Sequence, residues 1–247
     1  MKNKGKELAG KGRSGYNMRK EERVTELMYK ACIFDLDGTI EDTVESIAHT
    51  ANQVLEHFSL PAQPVEDYRY FAGDGADLMI ERAMTAAGGD LGCLEEGQAM
   101  FRELFAKDPL YKVKAYDGMK ETLTELKRRG AALAVFSNKP HGAAVKAVEA
   151  VYGKGFFQVI QGQEERLPRK PAPDGAWEVA HRLGVLPEEC VYLGDTNTDM
   201  QTGNAAGMYT VGVLWGFRDR KELEENHARI IIEKPEEILT VYGGKYD

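Results

Sequence analysis

The sequence predicts an α/β protein with a doubly wound parallel sheet and an inserted, small all-helical domain. Two observations support this fold class. Short apolar runs of strand length alternate with helical patterns along most of the chain, as in sheets covered by helices on both faces. Residues 43–113 interrupt this alternation and contain helical patterns alone. We therefore expect a Rossmann-like core from residues 29–42 and 114–247, and a helical cap domain from residues 43–113, hereafter the cap.

The predicted strands are short apolar runs, each followed by glycine or by polar residues. They cover residues 30–35, 131–137, 157–161, 190–194, 209–214 and 230–232.

The predicted helices repeat apolar residues every three or four positions. In the cap they cover residues 44–58, 77–87 and 95–107. In the core they cover residues 118–129, 141–152, 174–183, 198–206 and 221–226.

Composition excludes several classes of function. The net charge of −8 disfavours general binding to nucleic acid or anionic membranes. No apolar run reaches the roughly 20 residues of a membrane helix, and no secretory signal is visible. The three cysteines form neither a zinc pattern nor a disulfide framework, which favours the cytoplasm. Residues 1–28 are rich in Lys, Gly and Glu and predict a disordered leader; a basic binding arm is the alternative.

The first predicted strand runs into the loop Asp35-Leu36-Asp37-Gly38-Thr39. In α/β proteins the carboxyl ends of the strands carry the chemistry. An Asp held there can act as a nucleophile, and a neighbouring Asp can act as a proton donor. Such a pattern is also common in turns and cation-binding loops, so its meaning depends on the other loops.

Three further loops carry polar residues that suit phosphate-ester hydrolysis. Asp195 could share a hard divalent cation such as Mg²⁺ with Asp35, which would offset the repulsion between a carboxylate and a phosphate. Lys170 could stabilise the charge that develops on the phosphoryl group, and Ser137 with Asn138 could hold its oxygens. Each residue alone also fits a structural role, as a turn, a helix cap or a surface charge.

Together these segments resemble the haloacid dehalogenase superfamily of phosphohydrolases over about residues 30–215. The resemblance rests on DLDGT at 35–39, the Ser137-Asn138 pair, Lys170-Pro171 and GDTNTD at 194–199. The second aspartate of the first motif, Asp37, favours an oxygen leaving group over a halide or a phosphonate.

The resemblance implies a role for each matching residue. Asp35 would be the nucleophile, Asp37 the acid and base, Ser137 a phosphoryl ligand and Lys170 the stabilising cation. Mg²⁺ would be held by Asp35, the backbone carbonyl of Asp37 and Asp195, with Asp199 acting through water or as a support. We also predict substrate contacts from Gly38, Thr39 and Asn138.

The cap carries the loop Gly73-Asp74-Gly75 before a predicted helix. Backbone N–H groups in such a loop can face an anion, and these three residues are predicted to bind substrate. The loop resembles the cap loop of phosphoglycolate phosphatases and their relatives. A plain turn between helices is the alternative.

The sequence therefore predicts a Mg²⁺-dependent phosphatase, monomer or homodimer, that acts on a small phosphorylated metabolite similar to phosphoglycolate. A sugar-phosphate phosphomutase is one alternative. A non-catalytic binding protein on the same scaffold is another, because a fold alone does not fix a function.

Overall fold

The computed structural model describes residues 29–244 and contains one main sheet and one short ladder. The predicted leader, residues 1–28, lies outside the described residues. The strands are β1 (Ala31–Phe34), β2 (Glu41–Asp42), β3 (Lys114–Ala115), β4 (Ala132–Pro140), β5 (Val159–Gln163), β6 (Cys190–Gly194), β7 (Tyr209–Val213) and β8 (Ile230–Ile232). The main sheet has six strands in the order β5-β4-β1-β6-β7-β8, and its pairs are all parallel. This confirms the predicted fold class.

Helices pack on both faces of the main sheet. Those of the core are α5 (Met119–Arg128), α6 (His141–Tyr152), α7 (Asp174–Leu183), α8 (Asn197–Ala205), α9 (Arg220–Glu225) and α10 (Ile238–Tyr242). The central strand β1 is buried on both sides: Phe34 joins the apolar cluster on one face, and Ile33 joins the cluster on the other. Coverage on both faces explains why this strand is an unbroken apolar run in the sequence.

The helices between β2 and β3 have an apolar core of their own. They are α1 (Val44–His57), α2 (Tyr68–Phe71), α3 (Ala76–Ala86) and α4 (Leu94–Lys107). Val54, Leu55, Ile80 and Phe101 are buried in this separate cluster. Short helices such as α2 and α10 escaped the sequence patterns because one turn of helix carries no readable period.

The chain passes between core and cap through the two-residue strands β2 and β3. They pair antiparallel, with Glu41 opposite Ala115 and Asp42 opposite Lys114. Both crossings therefore lie side by side. The Glu41 side chain is fully buried here, and among the described residues neither of its carboxylate oxygens has a hydrogen-bond partner. Burial raises the pKa of Glu41 to about 8.

β4 continues to Pro140, beyond the predicted end at residue 137, and its register with β5 shifts between Phe136 and Pro140. Within residues 29–244, no helix is both long and apolar enough to cross a membrane.

Candidate active site

The site-forming residues follow three neighbouring strands at the carboxyl edge of the sheet. Asp35 follows β1, Ser137 and Asn138 lie near the end of β4, and Asp195 follows β6. β1 pairs with both β4 and β6, so these side chains come from adjacent strand ends. Lys170 reaches the same place from the loop between β5 and α7.

Lys170 joins two buried carboxylates. Its Nζ lies 2.6 Å from Oδ1 of Asp35 and 2.7 Å from Oδ1 of Asp199. Burial raises the pKa of Asp35, Lys170 lowers it, and Asp199 and Asp37 raise it further, so the net direction is upward. Burial alone would lower the pKa of Lys170, but Asp199 and Asp35 more than offset this, and the side chain stays an ammonium.

Asp195 is held by donors on both sides of its carboxylate. The Thr39 hydroxyl donates to Oδ1 at 2.9 Å, and the Phe217 backbone N–H donates to Oδ2 at 2.7 Å. Gly38 has a φ of +86°, and a Cβ at this position would collide with the Asp195 carboxylate. A residue without a side chain is therefore required where the first loop passes Asp195. Gly38 and Thr39, predicted to contact substrate, support Asp195 and are not among the residues that line the pocket.

Asp35, Asp195 and Asp199 fit a hard divalent cation. Each offers a carboxylate oxygen, and these oxygens lie within 4.8 Å of one another. Burial raises the pKa of Asp195 well above its usual range, and the charges of Asp199 and Asp35 raise it further. Lys170 is paired with Asp35 and Asp199, and a bound cation would offset the remaining repulsion among the three buried carboxylates. Oxygen ligands alone are typical of Mg²⁺ or Ca²⁺ sites.

Asp199 is held in place by the start of its own helix. Thr196 precedes α8, and its backbone N–H and hydroxyl donate to Oδ2 of Asp199 at 3.1 and 2.7 Å. Oδ1 accepts from Lys170. This arrangement is the capping box that GDTNTD permits, and it fits the supporting role predicted for Asp199.

Asp37 pairs with a lysine that the sequence analysis did not identify. Nζ of Lys139 lies 2.7 Å from Oδ1 of Asp37, and the Lys139 side chain is 3% exposed. Lys139 follows Ser137 by two positions in β4, and both residues line the pocket. The predicted strand ended at residue 137, so the sequence analysis did not place Lys139 beside Ser137.

Asn138 ties the site together. Its Oδ1 accepts from the Lys170 backbone N–H at 2.9 Å, and its Nδ2 donates to the carbonyls of Gly73 at 3.2 Å and Lys170 at 3.3 Å. One side chain thus links β4, the Lys170 loop and the cap loop. Ser137 and Asn138 both line the pocket, as their predicted contact with a phosphoryl group requires.

The pocket between core and cap is small. Its volume is about 60 Å³, and one water needs roughly 10–15 Å³ on that scale. The core contributes Asp35, Asp37, Ser137, Asn138 and Lys139. The cap contributes the apolar side chains of Ile47, Ala72, Ala76, Met79, Phe101 and Phe105.

The residues of the cap loop, Gly73-Asp74-Gly75, have two different roles. Gly73 and Gly75 line the pocket, and Asp74 does not. Its carboxylate lies 2.6 Å from Arg82 and accepts from the Thr198 hydroxyl at 2.7 Å. Burial would raise the pKa of Asp74, but these two hydrogen bonds lower it below its usual range. Asp74 therefore connects the cap to the start of α8 rather than facing the pocket.

Two arginines connect the cap to the core. Arg218 is buried, and its guanidinium donates to the carbonyls of Arg69 and Ala72 in the cap. In return, Arg69 donates to the Gly216 carbonyl at 2.7 Å.

A comparison with known protein families agrees with the fold and the site. The profile of the haloacid dehalogenase-like hydrolase family matches residues 32–213, and the chain belongs to this family.

Individual relatives indicate which kind of hydrolase this chain is. A phosphoglycolate phosphatase of Pseudomonas putida is 28% identical over 213 residues, which cover 84% of this chain and 77% of the relative. A phosphoglycolate phosphatase of Escherichia coli O157:H7 is 29% identical over 231 residues, covering 85% of this chain and 91% of the relative. The chain is accordingly a phosphoric monoester hydrolase.

A solved structure from Lactobacillus delbrueckii subsp. bulgaricus superposes with a TM-score of 0.81 at 30% identity, covering 87% of this chain and 98% of the other. That protein is named a putative phosphoglycolate phosphatase.

Proposed function

We propose that this protein is a Mg²⁺-dependent phosphatase that hydrolyses a small phosphorylated acid, similar to phosphoglycolate, through a phosphorylated Asp35. One observation carries the proposal. The buried Asp35 carboxylate contacts Lys170 at 2.6 Å, lies within 4.8 Å of two further carboxylates and opens into the same pocket as Asp37.

The chain's own residues divide the chemistry between them. Asp35 attacks phosphorus, and Lys170 holds the attacking carboxylate and offsets the phosphoryl charge. The Ser137 hydroxyl and the backbone N–H of Asn138 orient the phosphoryl oxygens. Asp37 donates a proton to the leaving oxygen and afterwards accepts one from the water that releases phosphate from Asp35.

Asp35, Asp195 and the Asp37 carbonyl would hold Mg²⁺, with Asp199 as a support. When bound, the ion offsets the negative charge shared by nucleophile and substrate.

The pocket supports a small substrate. A volume of about 60 Å³ holds only a few water-sized groups. Phosphoglycolate suits this space better than a hexose phosphate does, and the relatives described above carry the same substrate in their names. The small pocket thus favours a substrate smaller than the hexose phosphate of a sugar-phosphate mutase.

The test is release of inorganic phosphate from 2-phosphoglycolate, with Mg²⁺ and with excess chelator. We expect turnover that the chelator abolishes and that Asp35→Asn reduces at least about 10³-fold. Asp174→Asn is the matched control, since Asp174 is exposed at the start of α7 and should remain active.

Near-normal turnover by Asp35→Asn would refute the mechanism. Isomerisation of a hexose phosphate without net release of phosphate would favour the mutase instead.

A further inference from the structure

We propose that Lys139 recognises a second negative group on the substrate, a carboxylate attached next to the ester carbon. This inference rests on the proposed function and names the residue that would select phosphorylated acids. Lys139 belongs to none of the segments that carried the family resemblance.

Lys139 lies on the wall of the pocket between core and cap. Its side chain is 3% exposed, and its Nζ lies 2.7 Å from Asp37 and 4.7 Å from the centre of the Phe105 ring in the cap. Among the described residues that line the pocket, it is the one with a positive charge. Lys170 is engaged by Asp35 and Asp199 and is absent from that lining.

The contact between Lys139 and Asp37 determines which substrate atoms lie within reach of Nζ of Lys139. Asp37 serves the leaving oxygen at hydrogen-bond distance, about 2.7 Å. Nζ of Lys139 contacts the same carboxyl group. It therefore lies close to the substrate atoms that are bonded to the leaving oxygen. In a phosphorylated 2-hydroxy acid the carboxylate begins two single bonds of roughly 1.5 Å beyond that oxygen. The carboxylate therefore falls within reach of Nζ.

The reaction itself requires a new partner for Lys139. When the Asp37 carboxyl group donates to the leaving oxygen, it can no longer accept the full hydrogen bond from Lys139. A buried ammonium without an acceptor is costly, and the cap side chains that face it are apolar: Ile47, Met79 and Phe101 offer no acceptor. A substrate carboxylate would take over this contact, in a site where the exclusion of water strengthens ion pairs.

A matched pair of substrates tests the inference. 2-Phosphoglycolate carries the carboxylate, and 2-hydroxyethyl phosphate carries a neutral hydroxymethyl group in its place. The readout is the ratio of kcat/KM for the two, because any effect of a substitution on Asp37 is common to both and cancels. We expect the wild type to prefer the acid by about 10- to 100-fold, the strength of a charge-assisted hydrogen bond.

Lys139→Met should bring this ratio close to one, and Lys139→Arg should keep part of the preference. Lys154→Met is the matched control, since Lys154 is exposed just after the end of α6 that is remote from the site, and its ratio should equal that of the wild type. An unchanged ratio in Lys139→Met would overturn the inference.

A binding measurement keeps the test decisive if Lys139→Met turns over too slowly. In the Asp35→Asn background, calorimetry compares the affinity for 2-phosphoglycolate with the affinity for inorganic phosphate. Adding Lys139→Met should weaken the first about 10- to 100-fold and change the second little. Equal weakening of both, or of neither, would count against Lys139 as the selecting residue.

The two proposals fail in different ways. A wild type that hydrolyses both substrates equally well would remain a phosphatase, and only the role of Lys139 would be lost. A wild type that hydrolyses neither would overturn the proposed function, and the role of Lys139 with it.

Discussion

The buried Glu41 should make the stability of this protein depend on pH in a way that one substitution removes. Glu41 lies in β2, where the chain leaves the core for the cap, and its carboxylate oxygens have no partner among the described residues. Burial raises its pKa from 4.5 to about 8. The folded protein therefore keeps a proton that the unfolded chain releases, and stability falls as the pH rises between these values.

The magnitude follows from the same pKa. Each pH unit between 4.5 and 8 costs about 1.4 kcal/mol, so ionised Glu41 destabilises the fold by up to about 5 kcal/mol above pH 8. Relaxation around a buried charge reduces this, and we expect about 2 kcal/mol. In a protein of this size that corresponds to about 4–8 °C in Tm.

The assay is thermal unfolding of Glu41→Gln and wild type from pH 5 to pH 9 in the presence of chelator. Glutamine has the same shape and cannot ionise, so its advantage over wild type should be smallest at pH 5 and should grow by about 4–8 °C toward pH 9. Glu121→Gln is the control, since Glu121 is exposed in the first turn of α5. A difference in Tm between Glu41→Gln and wild type that is constant across pH would refute the reasoning.

Three further outcomes follow from the site. Lys170→Met leaves two carboxylates buried without their counter-charge, so we expect a loss of about 3–5 kcal/mol of stability near pH 8 in chemical unfolding, and less near pH 5, where protons can replace the ammonium. Arg218→Ala removes donors to the cap-loop carbonyls; hydrogen exchange around residues 69–72 should speed up and KM should rise, while the far strand β8 stays protected. Mg²⁺ should raise Tm more at pH 8 than at pH 5, because protons compete for Asp35 and Asp195, whose pKa values are raised; an equal rise at both pH values would contradict metal binding at these carboxylates.

The strands of the main sheet were predictable because burial on both faces makes them continuous apolar runs. β6 (Cys190–Gly194) and β8 (Ile230–Ile232) have the predicted bounds, and β1 (Ala31–Phe34) lies within its predicted range. The positions of Asp35 and Asp195 followed from the strands that precede them. Their convergence follows from the order of the strands, which the sequence alone does not state.

The contacts between core and cap were not predictable in this way. Arg218 and Arg69 meet across 149 residues of sequence, and nothing local distinguishes them from surface arginines. Lys139 pairs with Asp37 across 102 residues. Asp74 was expected at the substrate because its neighbours are glycines, yet its side chain bonds Arg82 and Thr198. Long polar side chains reach in many directions, so the partner is decided by tertiary packing rather than by local pattern.

The ladder between β2 and β3 has a consequence for how such proteins can be rebuilt. Because Asp42 and Lys114 are paired directly, the insertion leaves and rejoins the core at neighbouring points. A tight turn of a few residues could bridge this gap, and no strand of the main sheet would change register. The helical layer could thus be replaced by another insertion with adjacent ends without rerouting the strands of the core. The replacement would also have to supply the contacts that Thr198 and Arg218 now make with the cap.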